Sequence, residues 1–395
     1  MIDRFLNSVV RRLNVRSVAG AGIVLGVAAF LLTLPPFTLR TTLVPIIFGL
    51  GALALGLAAI SQGERRLGGF ALAIGFLGTI GGLWAQGIDR DTLEAVLTGG
   101  LVASTLRFAT PLAYAAMGGI FSERSGVVNI GLEGMMLMGA FFAVWGSIWS
   151  GSWEVGLVMA MLSGGLLALI HAVFSIHLRA DQIVSGFAVN LLALGLTGYL
   201  YSSIYPNGTT KGQIERVPSL EGLFGFLDWV PGADLSLLVW LMFVTVVLAY
   251  VVLFKTPIGL RIRSVGEHPR AADTVGISVY RIRYAAVVTS GVLAALGGAF
   301  LSIGFTGRFT ENMTGGRGYI ALAAVIFGKW RPGWAFVATL LFGFGFALAI
   351  PLQREADISS NLISTLPYLL TLIAVAGIIG RSIPPAAVGR PYVKQ

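Results

Sequence analysis

Cysteine is absent from this chain of 395 residues. That excludes a disulfide framework, a thiol catalyst and a cysteine-held cluster. Charge is scarce: 11% of residues are Asp, Glu, Lys or Arg, against about 25% in an ordinary soluble domain. Histidine occurs three times, as His171, His177 and His268, too dispersed in sequence to suggest a metal centre. Acids are outnumbered by bases, 18 to 27, for a formal net charge of +9. What fills the chain is apolar: 56% of residues are hydrophobic, and the mean hydropathy is +0.84. Such a chain cannot cover a water-facing surface with polar groups, so a soluble enzyme, a secreted domain and a disordered protein are excluded. An integral membrane protein remains. Its basic excess belongs in cytoplasmic loops rather than on a nucleic-acid surface, and its 53 glycines suit close helix packing in lipid.

A crossing helix needs about 20 apolar residues. Apolar runs lie at 18–34, 43–60, 68–86, 96–121, 127–148, 155–176, 183–204, 235–254, 284–305, 333–351 and 362–380. A shorter one, 317–328, is a half-span, a re-entrant piece or a twelfth crossing. Twelve crossings put nineteen Lys and Arg on the side that carries both termini and seven on the other. The expectation is therefore an all-α polytopic protein with about 12 spans, discontinuous helices and cytoplasmic N and C termini. Continuous runs without alternation exclude a membrane β-barrel. The N-terminal run ends at Leu34-Pro35-Pro36 with no small-x-small site, and is read as a retained span rather than a signal peptide.

The first three spans carry no charge, only small-residue spacings such as Gly22/Gly26 and Gly78/Gly82, which read as scaffold packing. Unusual chemistry begins after residue 100. Arg107 and Glu133 sit inside apolar sequence, where a charge costs about 2.5–3.5 kcal/mol on insertion scales. Pro111 interrupts one run, and Gly126, Gly131 and Gly134 follow. A helix break between Ser122 and Gly134 is expected, tolerated only where protein or a water-filled path satisfies the freed backbone. The functional reading is a discontinuous helix beside a translocation path. The structural one is an Arg107–Glu133 pair, with Glu123–Arg124 as an ordinary cytoplasmic turn. Gln182, Ser185 and Asn190 share one arc of a helix and face either a cavity or a neighbouring helix.

Residues 255–283 form a basic loop containing Gly266-Glu267-His268-Pro269-Arg270-Ala271-Ala272-Asp273-Thr274-Val275-Gly276. Proline near a first turn and a closing glycine predict a short helix from about Pro269 to Val275.

At this loop the chain resembles the permeases of bacterial ABC importers. Phe121-Ser122-Glu123-Arg124-Ser125-Gly126-Val127-Val128-Asn129-Ile130-Gly131-Leu132-Glu133-Gly134-Met135-Met136 is similar to the nucleoside and simple-sugar uptake branch. Gly318-Tyr319-Ile320-Ala321-Leu322-Ala323-Ala324-Val325-Ile326-Phe327-Gly328 and Pro367-Tyr368-Leu369-Leu370 fit the same branch. The resemblance implies a permease core at 95–380, with about nine of the spans, behind a three-span extension at 1–94 and before a cytoplasmic tail at 381–395. It implies a bacterial inner-membrane protein with three partners: an ABC ATPase that binds ATP and Mg, a second and different permease, and an extracytoplasmic binding lipoprotein. The sequence lacks a Gly-x-x-x-x-Gly-Lys-Ser/Thr loop, so the chain itself is expected to hold no cofactor and to catalyse nothing.

The 266–276 segment becomes the expected coupling helix. Gly266 is its turn-in, Pro269 its first turn and Gly276 its end. Ala271 and Ala272 face water and fit an ATPase cleft, with Glu267 and Arg270 at the rim. A nucleoside has a flat base and a hydroxyl-rich ribose, so Asn129, Glu133 and Asn190 are the candidate polar contacts and Phe108 the stacking face. Ribose-like sugars are the alternative substrate. An ion-coupled transporter ranks lower, because only Glu133 is an acid at depth. An intramembrane enzyme ranks last, with no paired catalytic groups.

Overall fold

The computed structural model describes residues 15–31, 43–87, 99–206, 210, 214–223, 234–355 and 382–394. Among them the chain is mostly helical, with no strand and one isolated bridge between Ser219 and Ser236. The run at 362–380, most of the first 17 residues and much of the stretch 205–234 between two apolar runs lie outside the described residues.

The chain divides into two units. The first, Met1–Val102 with Gly345–Arg381, contains α1 (Val15–Leu31), α2 (Leu43–Ser61) and α3 (Arg65–Gly87). All three pack on one another. Gly22 of α1 lies against Ala71 of α3, so close that an added Cβ would come within 2.9 Å of the alanine methyl. Backbones approach this closely only where side chains are small.

The second unit, Ala103–Phe344 with Ser382–Gln395, holds most of α4 (Gly99–Arg124) and then α5 (Leu132–Ser150), α6 (Trp153–Ala172) and α7 (Gln182–Ile204). The four-residue α8 (Leu220–Leu223) leads to α9 (Leu237–Lys255), α10 (Pro257–Glu267), α11 (Pro269–Thr274) and α12 (Val279–Ala299). The unit closes with α13 (Arg317–Phe327) and the first part of α14 (Pro332–Glu355). Helices α6 and α12 each end in a wider π turn, at Val173–His177 and Phe300–Thr306. Among the described residues, seven helices are long and apolar enough to cross a membrane.

Helix α5 is central: 78% of its span is buried inside the protein, against 28% for α9. Its core partners include Tyr114, Phe300, Phe309 and Leu238, and Tyr114 donates its hydroxyl to the carbonyl of Leu238 at 2.9 Å. The expected break is present, since α4 stops at Arg124 and α5 starts at Leu132. The short apolar run is also a helix. At 11 residues α13 rises about 16 Å, roughly half the hydrocarbon thickness.

The basic loop differs from its expectation. It holds two helices, and Gly266 lies inside the first instead of turning the chain into the second. Thr256 caps α10 by accepting from the Gly259 amide at 3.3 Å, and Pro257 takes its first position. Ile262 and Val265 then bury one face while Arg261 and Glu267 stay exposed. That cap and periodicity are readable in the sequence, beneath the basic excess of the loop.

Candidate functional site

The break between α4 and α5 exposes backbone groups that a continuous helix would have paired. Each side chain around it answers one of those groups. The Ser122 hydroxyl donates to the Val127 carbonyl at 2.8 Å, and the Ser125 hydroxyl to the Ser122 carbonyl at 2.7 Å. The Val128 amide donates to Gln182 Oε1 at 2.7 Å. His171 Nε2 lies 3.0 Å from the Val128 carbonyl, and its Nδ1 lies 3.0 Å from the Ser185 hydroxyl. Asn190 Nδ2 donates to the Ile130 carbonyl at 3.0 Å, and its Oδ1 accepts from the Gly134 amide at 2.8 Å. The polar arc of α7 therefore faces the break, not a cavity.

Glu133 sits in the first turn of α5 with its side chain turned to α13. Oε1 accepts from the Gly316 amide at 2.7 Å and Oε2 from the Gly318 amide at 2.6 Å. These are free N–H groups at the start of α13, where the helix dipole favours an anion. Gly318 is the residue that allows it. A Cβ there would collide with the Glu133 backbone. Tyr319 completes the cluster, accepting from Asn190 Nδ2 at 3.0 Å. The Arg107–Glu133 pair does not form; Arg107 pairs instead with Asp234 at 3.0 Å.

Of the four candidate pathway residues, the structure brings together Glu133 and Asn190. Asn129 is fully buried one turn away. Its Nδ2 donates to the Ser290 hydroxyl at 2.9 Å, while Oδ1 has no partner. Phe108 stands edge-on to Phe305 in the π turn after α12, with centroids 6.0 Å apart. Glu123 is not an ordinary exposed turn. It is 4% exposed and accepts from the indole N–H of Trp330.

Asn190→Ala removes three bonds at once and leaves the Gly134 amide and the Ile130 carbonyl unpaired. At about 0.6 kcal/mol per intramembrane polar pair, the loss is about 2 kcal/mol. It should read as a lower melting temperature in detergent, measured on the purified protein.

The coupling segment stands beside the break. Pro269 occupies the first position of α11, and Gly276, with φ 85°, ends it as expected. Glu267, His268, Arg270 and Ala271 are exposed. Ala272 is not: it is 3% exposed and packs with Val265, Val279 and Tyr392. Its expected water-facing position is wrong, because α11 lies flat on α10 and α12. Gly266 is buried too, its Cα so close to the Arg124 carbonyl that a Cβ would overlap it.

The expected tail is docked on the core rather than free. The Ala387 amide donates to the Gly266 carbonyl at 2.9 Å, and the Gly389 amide to Gly126 at 3.2 Å. Arg283, 1% exposed, donates from Nε to the Ser125 carbonyl at 3.2 Å and from Nη1 to the Arg390 carbonyl at 3.1 Å. One guanidinium thus ties the break, α12 and the tail together. The tail and the start of α11 enclose a cleft of about 540 Å³, with Arg270 and Ala271 on one wall and Arg390 and Tyr392 on the other. Among the described residues, no group of His, Asp and Glu is arranged to hold a metal ion.

Residues 101–375 match the family model described as branched-chain amino acid transport system / permease component. The chain is similar to the guanosine ABC transporter permease protein NupQ of Bacillus subtilis, 44% identical over 74% of this chain and 96% of that protein. It is similar also to the nucleoside ABC transporter permease protein NupC of Lactococcus lactis, 39% identical over 75% of this chain and 97% of that one. A putative glucose ABC transporter permease protein of Haloferax volcanii, TsgC13, is 33% identical over 70% of this chain and 91% of its own. No solved structure matches. A multi-pass helical chain built around a broken helix, and matched over these residues, belongs to the family of branched-chain amino acid transport system permease components.

Proposed function

We propose that this chain is the membrane permease subunit of an ATP-driven importer for nucleosides, working by alternating access. The observation that carries the substrate is its 44% identity to a guanosine permease over almost the whole of that protein. The glucose-named relative, at 33%, supports simple sugars as the second reading.

In this reading the chain lies in a bacterial inner membrane with about twelve spans and cytoplasmic termini. Residues 1–94 are an extension, 95–380 the core and 381–395 a tail. It works with an ATPase that binds ATP and Mg, a second, different permease chain and an extracytoplasmic binding lipoprotein. It hydrolyses nothing itself and binds no nucleic acid. The break, with Glu133 and Asn190, is the hinge of the path. Both side chains are occupied in holding α5, α7 and α13 together, so they act on substrate by positioning those elements. Asn129, with its unpaired Oδ1, and Phe108 remain as the polar and flat groups for a nucleoside.

The ATPase docks on the exposed side of α11, at Glu267, Pro269, Arg270 and Ala271, beside the tail. Its closure moves α11, and the packing of Ala272 and Val279 carries that movement into α12; Gly266 and Gly276 set the limits of the moving piece. Ala271 and Ala272 are adjacent but opposite in exposure, which gives a test with an internal control. Ala271→Trp should leave insertion and melting temperature unchanged while uptake stops and the ATPase no longer co-purifies. Ala272→Trp should instead lower the melting temperature, because overpacking costs about 1–3 kcal/mol. Normal uptake by the Ala271→Trp protein with the ATPase still attached would show that α11 is not the contact.

A further inference from the structure

A second cleft lies where α9 runs out of apolar sequence at Lys255 and α14 begins at Pro332. Its volume is about 530 Å³, and its walls are Tyr250, Phe254, Trp334 and Val337, with Arg331 among them. The aromatic walls are uncovered: Trp334 is 64% exposed and Tyr250 47%.

Three arginines gather around it. The guanidiniums of Arg263 and Arg124 lie over the Phe254 ring, 5.0 and 5.5 Å from its centroid. Arg124 feels both Arg263 and Arg331 as like charges, with Glu267 as the opposing one. Glu267 accepts from the Ala386 amide at 3.1 Å, and Glu123 accepts from Trp330. Among the described residues, neither acid forms an ion pair with these three arginines. Arg124 directs its donors at the Trp330 and Lys329 carbonyls, at 3.0 and 3.5 Å. Arg263 Nε is buried with no partner. The site thus has cationic donors to spare and an apolar wall open to the outside.

We propose that this cleft binds an anionic phospholipid, its phosphate against Arg331 and Arg263 and the upper part of an acyl chain along Tyr250, Phe254 and Trp334. The position fits that ligand. Aromatic rings and arginines at the end of a crossing helix mark the boundary between hydrocarbon and headgroups, and basic pockets between crossing helices bind acidic headgroups. A soluble anion would leave the aromatic wall wet. A zwitterionic lipid brings its own cation to a site already rich in them.

The test is retention of lipid by the protein purified from nanodiscs of phosphatidylglycerol and phosphatidylcholine in equal amounts, read by native mass spectrometry. Each of the two arginines against the phosphate should favour the anionic lipid about fivefold, so the native protein should hold phosphatidylglycerol over phosphatidylcholine about thirtyfold. Arg331→Gln should cut that preference to about fivefold, the share that Arg263 keeps. Trp334→Ala should lower retention of both. Arg331 and Trp334 are exposed, so both variants should fold, and an unchanged melting temperature confirms it. Inorganic phosphate at millimolar concentration should not displace the lipid. Equal retention of the two lipids by the native protein, undiminished preference in Arg331→Gln, or displacement by phosphate alone would overturn the proposal. So would protection of Trp334 from labelling by a partner chain in lipid-free complex.

Discussion

Glu133→Gln is expected to lower the melting temperature and to stop uptake. The carboxylate accepts from two amides at the start of α13, at 2.7 and 2.6 Å. Glutamine keeps one acceptor oxygen and turns an NH2 donor toward the other N–H, so one bond becomes a donor–donor contact. Hydrogen bonds to charged groups contribute about 1.5–3 kcal/mol each, and an unpaired buried donor costs about 1–3 kcal/mol more. The sum, about 2.5–6 kcal/mol, exceeds that for Asn190→Ala and is concentrated on one contact between α5 and α13. Glu133→Asp keeps the charge but is a methylene shorter and should be intermediate. Melting and uptake at native values in Glu133→Gln would remove α13 anchoring from the account.

Arg283→Met should behave differently. Its guanidinium is buried without a carboxylate partner, so the desolvation it avoids when replaced offsets the two bonds it loses. Global stability should therefore change little. The local effect should be large, because the Arg390 carbonyl and the Ser125 carbonyl lose their shared donor. Hydrogen exchange of residues 386–392 should rise by about tenfold or more, as a tether of some 1.4 kcal/mol is lost. Uptake should fall with it, since the tail braces α10 at Gly266. An unchanged exchange rate in the tail would mean that the Ala387–Gly266 and Gly389–Gly126 bonds hold it unaided.

The sequence was most readable where a residue type has few uses. Glycines between Ser122 and Gly134 with a buried Glu133 meant a broken helix, and Pro269 with Gly276 meant a short one. It was least readable where partners are distant. Nothing local says that Glu133 reaches α13 rather than Arg107, because both sit in apolar sequence and only the fold decides which lies nearer. Ala272 is a small residue in a basic loop, and small residues fit a water-facing surface as well as a tight interface. Burial by Val265 and Tyr392 made it the latter. The tail carries three basic residues and prolines, a composition that reads as a solvated end, yet it is held mostly through backbone groups, the Ala387 and Gly389 amides and the Arg390 carbonyl, which leave no trace in side-chain pattern. The α7 arc was visible as polar, but its target was the backbone of the break, and backbone groups are invisible to composition.

The central claim is that this chain passes nucleosides under the drive of a separate ATPase. The most direct measurement is uptake of labelled guanosine into proteoliposomes holding the chain with its ATPase, companion permease and binding protein, with ATP supplied on the ATPase side. The account predicts uptake that needs ATP, is competed by unlabelled nucleosides and not by glucose, and is lost in Ala271→Trp. Guanosine uptake that proceeds without ATP, or ATP-dependent uptake of glucose with none of guanosine, would contradict it.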